Sequence, residues 1–253
     1  DVKRGAAVVH EERTLDDLLE RKTPVLTEGA TFDPNRNATP FAEGAAAKTA
    51  ADPLAFLVGR VEVKYGGDPA RTHTTDLRPY IDPKKKTVTS VTGEIRLNHG
   101  LGLCTVDTPR AQGVTGFLAK AGEVRMSVLA VRCGNEYATA MAVALDDRPL
   151  HASRKVLVQV GTVMRPTGWA TKAATFRSED GKQTYHGQQI VSTGKMPWQG
   201  VAADMTVSLK NSGLAKATLL DAAGYRKRSL AGTRSGGVFR LTLPADALYV
   251  VLE

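Results

Sequence analysis

The sequence predicts an all-β protein: an antiparallel β-sandwich of jelly-roll or Ig-like type, with a short N-terminal helix and an extended wrapping segment. Three observations lead there. Beyond Pro53, short apolar runs recur between Gly, Asp, Asn and Pro turns, the spacing of a sandwich rather than of strand–helix–strand units. No long amphipathic helical pattern interrupts them. One helix signal, "RTLDDLLERK", stands near the start. Residues 1–52 therefore read as helix and extended connector, and residues 53–253 as the sandwich domain.

In the helix, Thr14 can cap and Asp17 falls at the third helical position, while Leu15, Leu18 and Leu19 share an apolar face. Arg21 and Lys22 suit its negative end, and Pro24 stops it. From Thr31 to Pro53 the chain is rich in Pro, Ala, Thr and Asn, a connection with room for a helical turn near residues 44–50. "AFLVGRVEVKYGG" then alternates from Gly59, with Val61, Val63 and Tyr65 on one side. "KTVTSVTGEIRLN" and "GLCTVD" flank the turn "HGLG" as a hairpin. Strand-like runs continue from "GVTGFL" through "YATAMAVALD" and "KVLVQVGTVMR" to "LYVVLE". "GDPARTH" and "RSGG" fail phosphate-loop patterns and read as hairpin turns.

The chain has 253 residues and carries a net charge of +8. Seven Lys/Arg and nine Asp/Glu fall in residues 1–50, which leaves +10 on the remainder. The runs Lys84-Lys85-Lys86 and Arg226-Lys227-Arg228 attract anionic polymers through a long-range field. Each adjoins a turn residue, Pro83 or Gly224, and the plainer reading is a solvated turn. No zinc spacing, recognition helix or aromatic platform accompanies them, so no specific nucleic-acid partner is expected. No apolar stretch approaches the roughly 18 residues of a membrane span. The start lacks both Met and an apolar signal core, so it reads as a mature product or a fragment. Cys104 and Cys133 are the only cysteines and read as two small buried thiols, although a bridge stays open. With five scattered histidines they complete no metal site, and no cofactor is expected.

"LCTVDTPRAQGVTGFL", continued by "LDDRPLHASRKVLVQVGTVMRPTGW", resembles the C-terminal β-sandwich region of large bacterial secreted glycoside-hydrolase-like proteins. The closing "KATLLDAAGYRKRSL" and "GGVFRLTLPADALYVVLE" look like the end of that region. The resemblance covers roughly residues 53–253. It implies a non-catalytic accessory module, secreted or at the cell surface, whose partners are a polysaccharide or an adjacent domain of a larger chain. A catalytic barrel, where the family has one, lies before this region, and none is visible here.

The resemblance also implies a structural turn at Asp107, Arg110 and Gln112. The residues agree: Pro109 fixes its own φ and pushes Thr108 toward an extended conformation. Asp107 can there accept backbone N–H groups or pair with Arg110 or Arg154. As a buried ion pair, its one-sided removal would cost about 3–5 kcal/mol. Glycosidic cleavage needs two facing carboxyl groups. Glu94 and Asp107 could approach across the expected hairpin, whereas Asp146 and Asp147 suit a turn. Ser153 beside His151, or Ser192 after His186, lacks the nucleophile elbow of a hydrolase. For sugar contact the candidates are Trp169, Trp198 and Tyr185, all in turn-rich polar surroundings, where loop-borne contact residues occur. Equally, these rings could close the core or dock a neighbouring domain. Three further readings are a stand-alone carbohydrate-binding module, a self-assembling extracellular protein and a hydrolase fragment.

Overall fold

The computed structural model describes residues 3–19, 54–178 and 181–253. The expected helix end at Pro24 and the connector from Thr31 to Pro53 lie outside them. The chain divides into two compact units, one running to Gly102 and the other from Leu103 to Glu253. The division differs from the expected boundary after residue 52, because the N-terminal residues enter a sheet.

In the first unit that sheet is built on β1 (Ala7–Arg13). The run "AVVHEER" hides it, since its buried residues come in pairs, Val8 with Val9 and Glu12 with Arg13, instead of alternating. After β1 comes α1 (Leu15–Leu19), where the capping box closes: Asp17 N–H donates to Thr14 Oγ1 at 3.2 Å, and Thr14 N–H to Asp17 Oδ2 at 3.0 Å. Helix α2 (Ala55–Val58) precedes β2 (Arg60–Tyr65), which lies parallel to β1, and β3 (His73–Thr74) runs antiparallel on the other side. The hairpins of β4 (Ile81–Asp82), β5 (Thr87–Thr89) and β6 (Ile95–Asn98) follow. "KTVTSVTGEIRLN" is thus itself a hairpin, turning at Thr92-Gly93 where Gly93 has φ +74°. Val8, Val9, Ala55, Val58, Leu77 and Val88 form this unit's core.

The second unit is the predicted antiparallel sandwich. Its strands are β7 (Leu103–Asp107), β8 (Ala111–Gly116), β9 (Glu123–Arg125), β10 (Leu129–Cys133), β11 (Ala138–Ala144) and β12 (Val156–Thr162), then β13 (Met164–Arg177) and β14 (Thr184–Gly200). They are followed by β15 (Met205–Lys210), β16 (Ala217–Leu220), β17 (Arg226–Leu230), β18 (Thr233–Ser235), β19 (Val238–Thr242) and β20 (Tyr249–Leu252). One layer runs β17-β16-β20-β12-β11-β8-β7 and the other β18-β19-β15-β10-β9. Period-two patterning sets the inward faces: Ala138, Ala140, Ala142 and Ala144 of β11, and Met205, Val207 and Leu209 of β15. Between the layers Leu129, Val131, Val158, Leu219, Phe239, Leu241, Val250 and Leu252 form one core, each large side chain contributing about 1.5–3 kcal/mol by burial. Gly113 is required where β8 meets β11, since a Cβ there would lie 2.6 Å from Met141 Cγ and 2.7 Å from Ala140 O.

β13 and β14 belong to neither layer. They pair only with each other, as a two-stranded ribbon of 14 and 17 residues in which no side chain is buried. Among the described residues no helix is long and apolar enough to cross a membrane.

Candidate functional site

Polar chemistry concentrates at the corner between β7 and β8. Thr108 ties the turn, its N–H donating to Ala111 O at 3.0 Å and its hydroxyl accepting Ala111 N–H at 3.0 Å. Asp107, half-buried, reaches across to the β9–β10 turn, where it accepts Ser127 N–H at 2.9 Å and Ser127 Oγ–H at 2.6 Å. Gln112 is fully buried. Its Oε1 accepts the N–H groups of Val128 and Leu129 at 2.9 and 2.8 Å, and its Nε2 donates to Thr108 O and Ser127 Oγ. One amide thereby meets four partners, its whole hydrogen-bonding capacity, and joins β8 of one layer to the β9–β10 turn of the other.

Arg110 and Arg154 serve the adjoining loop between β11 and β12. Arg110 Nη2 donates to Asp146 O at 2.9 Å and stands 3.5 Å from the fully exposed Asp147. Arg154 contributes its backbone: its N–H donates to Asp146 Oδ2 at 2.9 Å. That bond holds the Asp146 carboxyl below the usual aspartate range, with smaller help from Arg148 N–H. Of the two roles expected for Asp107, the structure shows the acceptor of a backbone N–H, that of Ser127, in a carboxylate that keeps solvent contact. Gln112 is the deeply buried member.

Two further amides do similar work and escaped sequence reading. Asn211, buried after β15, donates to Leu150 O and Ser153 O at 2.7 and 2.8 Å and accepts Gly213 N–H. Asn135, buried after β10, donates to Ala202 O and accepts Asp204 N–H at 2.8 and 2.9 Å. Both stand beside turn residues, where Asn is common, so nothing marked them.

The hydrolytic candidates are spent on local structure. Ser153 is buried, donating to Lys155 O and accepting Lys155 N–H. Glu94 is buried and accepts Lys3 N–H at 2.7 Å. On the ribbon, Ser192 Oγ accepts Gly194 N–H, while His186 Nδ1 lies 3.3 Å from Thr175 Oγ1. Both cysteines are free, and burial pushes both thiols up. No cluster of three or more metal-ligating side chains occurs among the described residues.

The three aromatic candidates all lie on the ribbon, in strands rather than in the turn-rich loops expected. Alternation did not reveal them because both faces of a two-stranded ribbon meet solvent. Phe176 pairs with Tyr185, Pro166 with Trp198 and Trp169 with Thr193. Arg165 lies over Trp169, 5.0 Å from the ring centroid. Arg165 and Trp169 thus share one side of β13, whereas Trp198 faces Pro166 on the alternate side. Gly194, at φ +69°, sits where a Cβ would fall 2.6 Å from Thr167 O. Beyond it β14 carries two extra residues, Met196 and Pro197, between the pairs Pro166–Trp198 and Thr167–Lys195.

The class of protein is thus an antiparallel β-sandwich with a projecting ribbon. Comparison with protein-family models, curated proteins and solved structures finds no match for the chain.

Proposed function

We propose that the chain is a non-catalytic accessory module of a secreted carbohydrate-active or cell-surface protein, docking a partner domain and making weak glycan contact. The ribbon carries this reading. A two-stranded ribbon gains little stability alone, yet this one presents Met164, Pro166, Phe176, Tyr185 and Trp198 on one side. Trp198 is 57% and Met196 72% exposed. Apolar and aromatic area of this kind suits the centre of a domain interface. The polar corner, by contrast, has its groups committed to fastening turns.

The test compares the isolated chain with the full-length gene product by oxidative footprinting. Trp198, Met196 and Phe176 are expected to be labelled in the isolated chain and protected in the longer one. Equal labelling in both, or a gene product no longer than these residues, would refute the docking role.

A further inference from the structure

The side of the ribbon opposite the apolar one has a different chemistry. The odd-numbered positions of β13 with their partners on β14 are Arg165–Gln199, Thr167–Lys195, Trp169–Thr193, Thr171–Ile190, Ala173–Gln188, Thr175–His186 and Arg177–Thr184. From Arg165 to Arg177 this track runs about 40 Å at the usual strand rise. Between Met164 and Gly200 the sequence holds five Lys/Arg, and its only acidic residues are Glu179 and Asp180. Arg177 and Lys195 are exposed, and no carboxylate among the described residues pairs with them. The Arg165 guanidinium is supported on the Trp169 ring and donates from Nη1 to Met164 O at 3.2 Å, which holds it in place with further N–H groups for a carboxylate.

We infer that this side is a binding track for an acidic, carboxylated polysaccharide. Cations at both ends suit a polyanion, and the net charge of +8 opposes pairing with a second copy. The Thr184 and Thr193 hydroxyls suit sugar hydroxyls, and Ile190 interrupts the polar run midway along the track. Single-stranded nucleic acid would need successive stacking rings, and Trp169 is the one tryptophan here. The inference rests on the carbohydrate-associated reading above and is independent of domain docking.

The experiment is affinity electrophoresis of the whole chain in gels containing polygalacturonate, a neutral polysaccharide, or DNA. Retardation by polygalacturonate, weakening with salt, is expected, with little effect of the neutral polymer. The variant Arg165→Gln/Arg177→Gln/Lys195→Gln should bind polygalacturonate about tenfold more weakly or worse, equivalent to about 1.4 kcal/mol. Lys84→Gln/Lys85→Gln/Lys86→Gln removes the same charge elsewhere and should bind as the parent does. Equal losses in both variants, or equal retardation by DNA, would reduce the track to net charge and overturn it. Binding only to the neutral polymer would keep the carbohydrate reading and sink this one. Absence of any binding would also overturn it, whatever the footprinting shows of docking.

Discussion

Gln112 is the residue on which the corner turns. Replacing it with Leu fills similar space but orphans the N–H groups of Val128 and Leu129, at about 1–3 kcal/mol for each buried group left unmatched. The urea midpoint of Gln112→Leu should therefore fall well below that of the parent. Asp107→Ala loses bonds to Ser127 from a half-buried carboxylate, about 1.5–3 kcal/mol, and should be the milder change in the same titration. Acid should act in part through Asp146, one of several carboxylates held below their usual range with Asp76 and Asp246, its folded pKa depressed by Arg154 N–H. Its contribution is complete above the unfolded value of about 3.9 and disappears as pH falls through the lower folded value. Melting temperature is then expected to hold from neutrality to about pH 5 and to decline below about pH 4, less steeply in Asp146→Asn.

At the scale of elements, the ribbon and the sandwich answer to different forces. Strands such as β11 and β15 are held by a shared core, while β13 and β14 bury no side chain fully and are held mainly by their own ladder. Replacing residues 165–199 with a short Gly-containing turn should leave the sandwich's unfolding transition nearly unchanged by differential scanning calorimetry. A large drop would mean that the ribbon braces the layers. The basic run Arg226-Lys227-Arg228 has an element-level role as well. It lies on β17, at the end of its layer, with Lys227 and Arg228 paired to Asp246 at 2.7 and 2.9 Å. Charge on an end strand discourages pairing with another chain. Lys84-Lys85-Lys86 occupies a turn in which Asp82 accepts the N–H groups of Lys84 and Lys85.

For the whole molecule, the proposed role predicts no hydrolytic turnover. Incubation with a broad polysaccharide panel should release no reducing sugar at an enzymatic rate. Release that disappears in Glu94→Gln, with stability retained, would return the chain to the enzymes. The reason for expecting none is local: Glu94 is committed to Lys3 N–H, Asp107 to Ser127 and Ser153 to Lys155.

Much of the sandwich was legible in order along the chain, because burial on one face writes itself as alternation, as in "ATAMAVA" of β11. The capping box at Thr14 and Asp17 was legible because it is a bond between residues three apart. The Asp-Thr-Pro-Arg corner announced a stiff turn, since proline acts on its immediate neighbours. What only tertiary structure decided is everything that depends on distant partners. It buried Glu12 and Arg13 in β1, it sent Gln112 to Val128 and Leu129, and it drew Asn211 to the loop around Ser153. It also paired β13 with β14, placing Trp169 and Trp198 on opposite sides of one ribbon. Local chemistry determines which backbone shapes a segment can adopt, but a hydrogen bond or ring contact across tens of residues exists only once the fold has brought its two ends together.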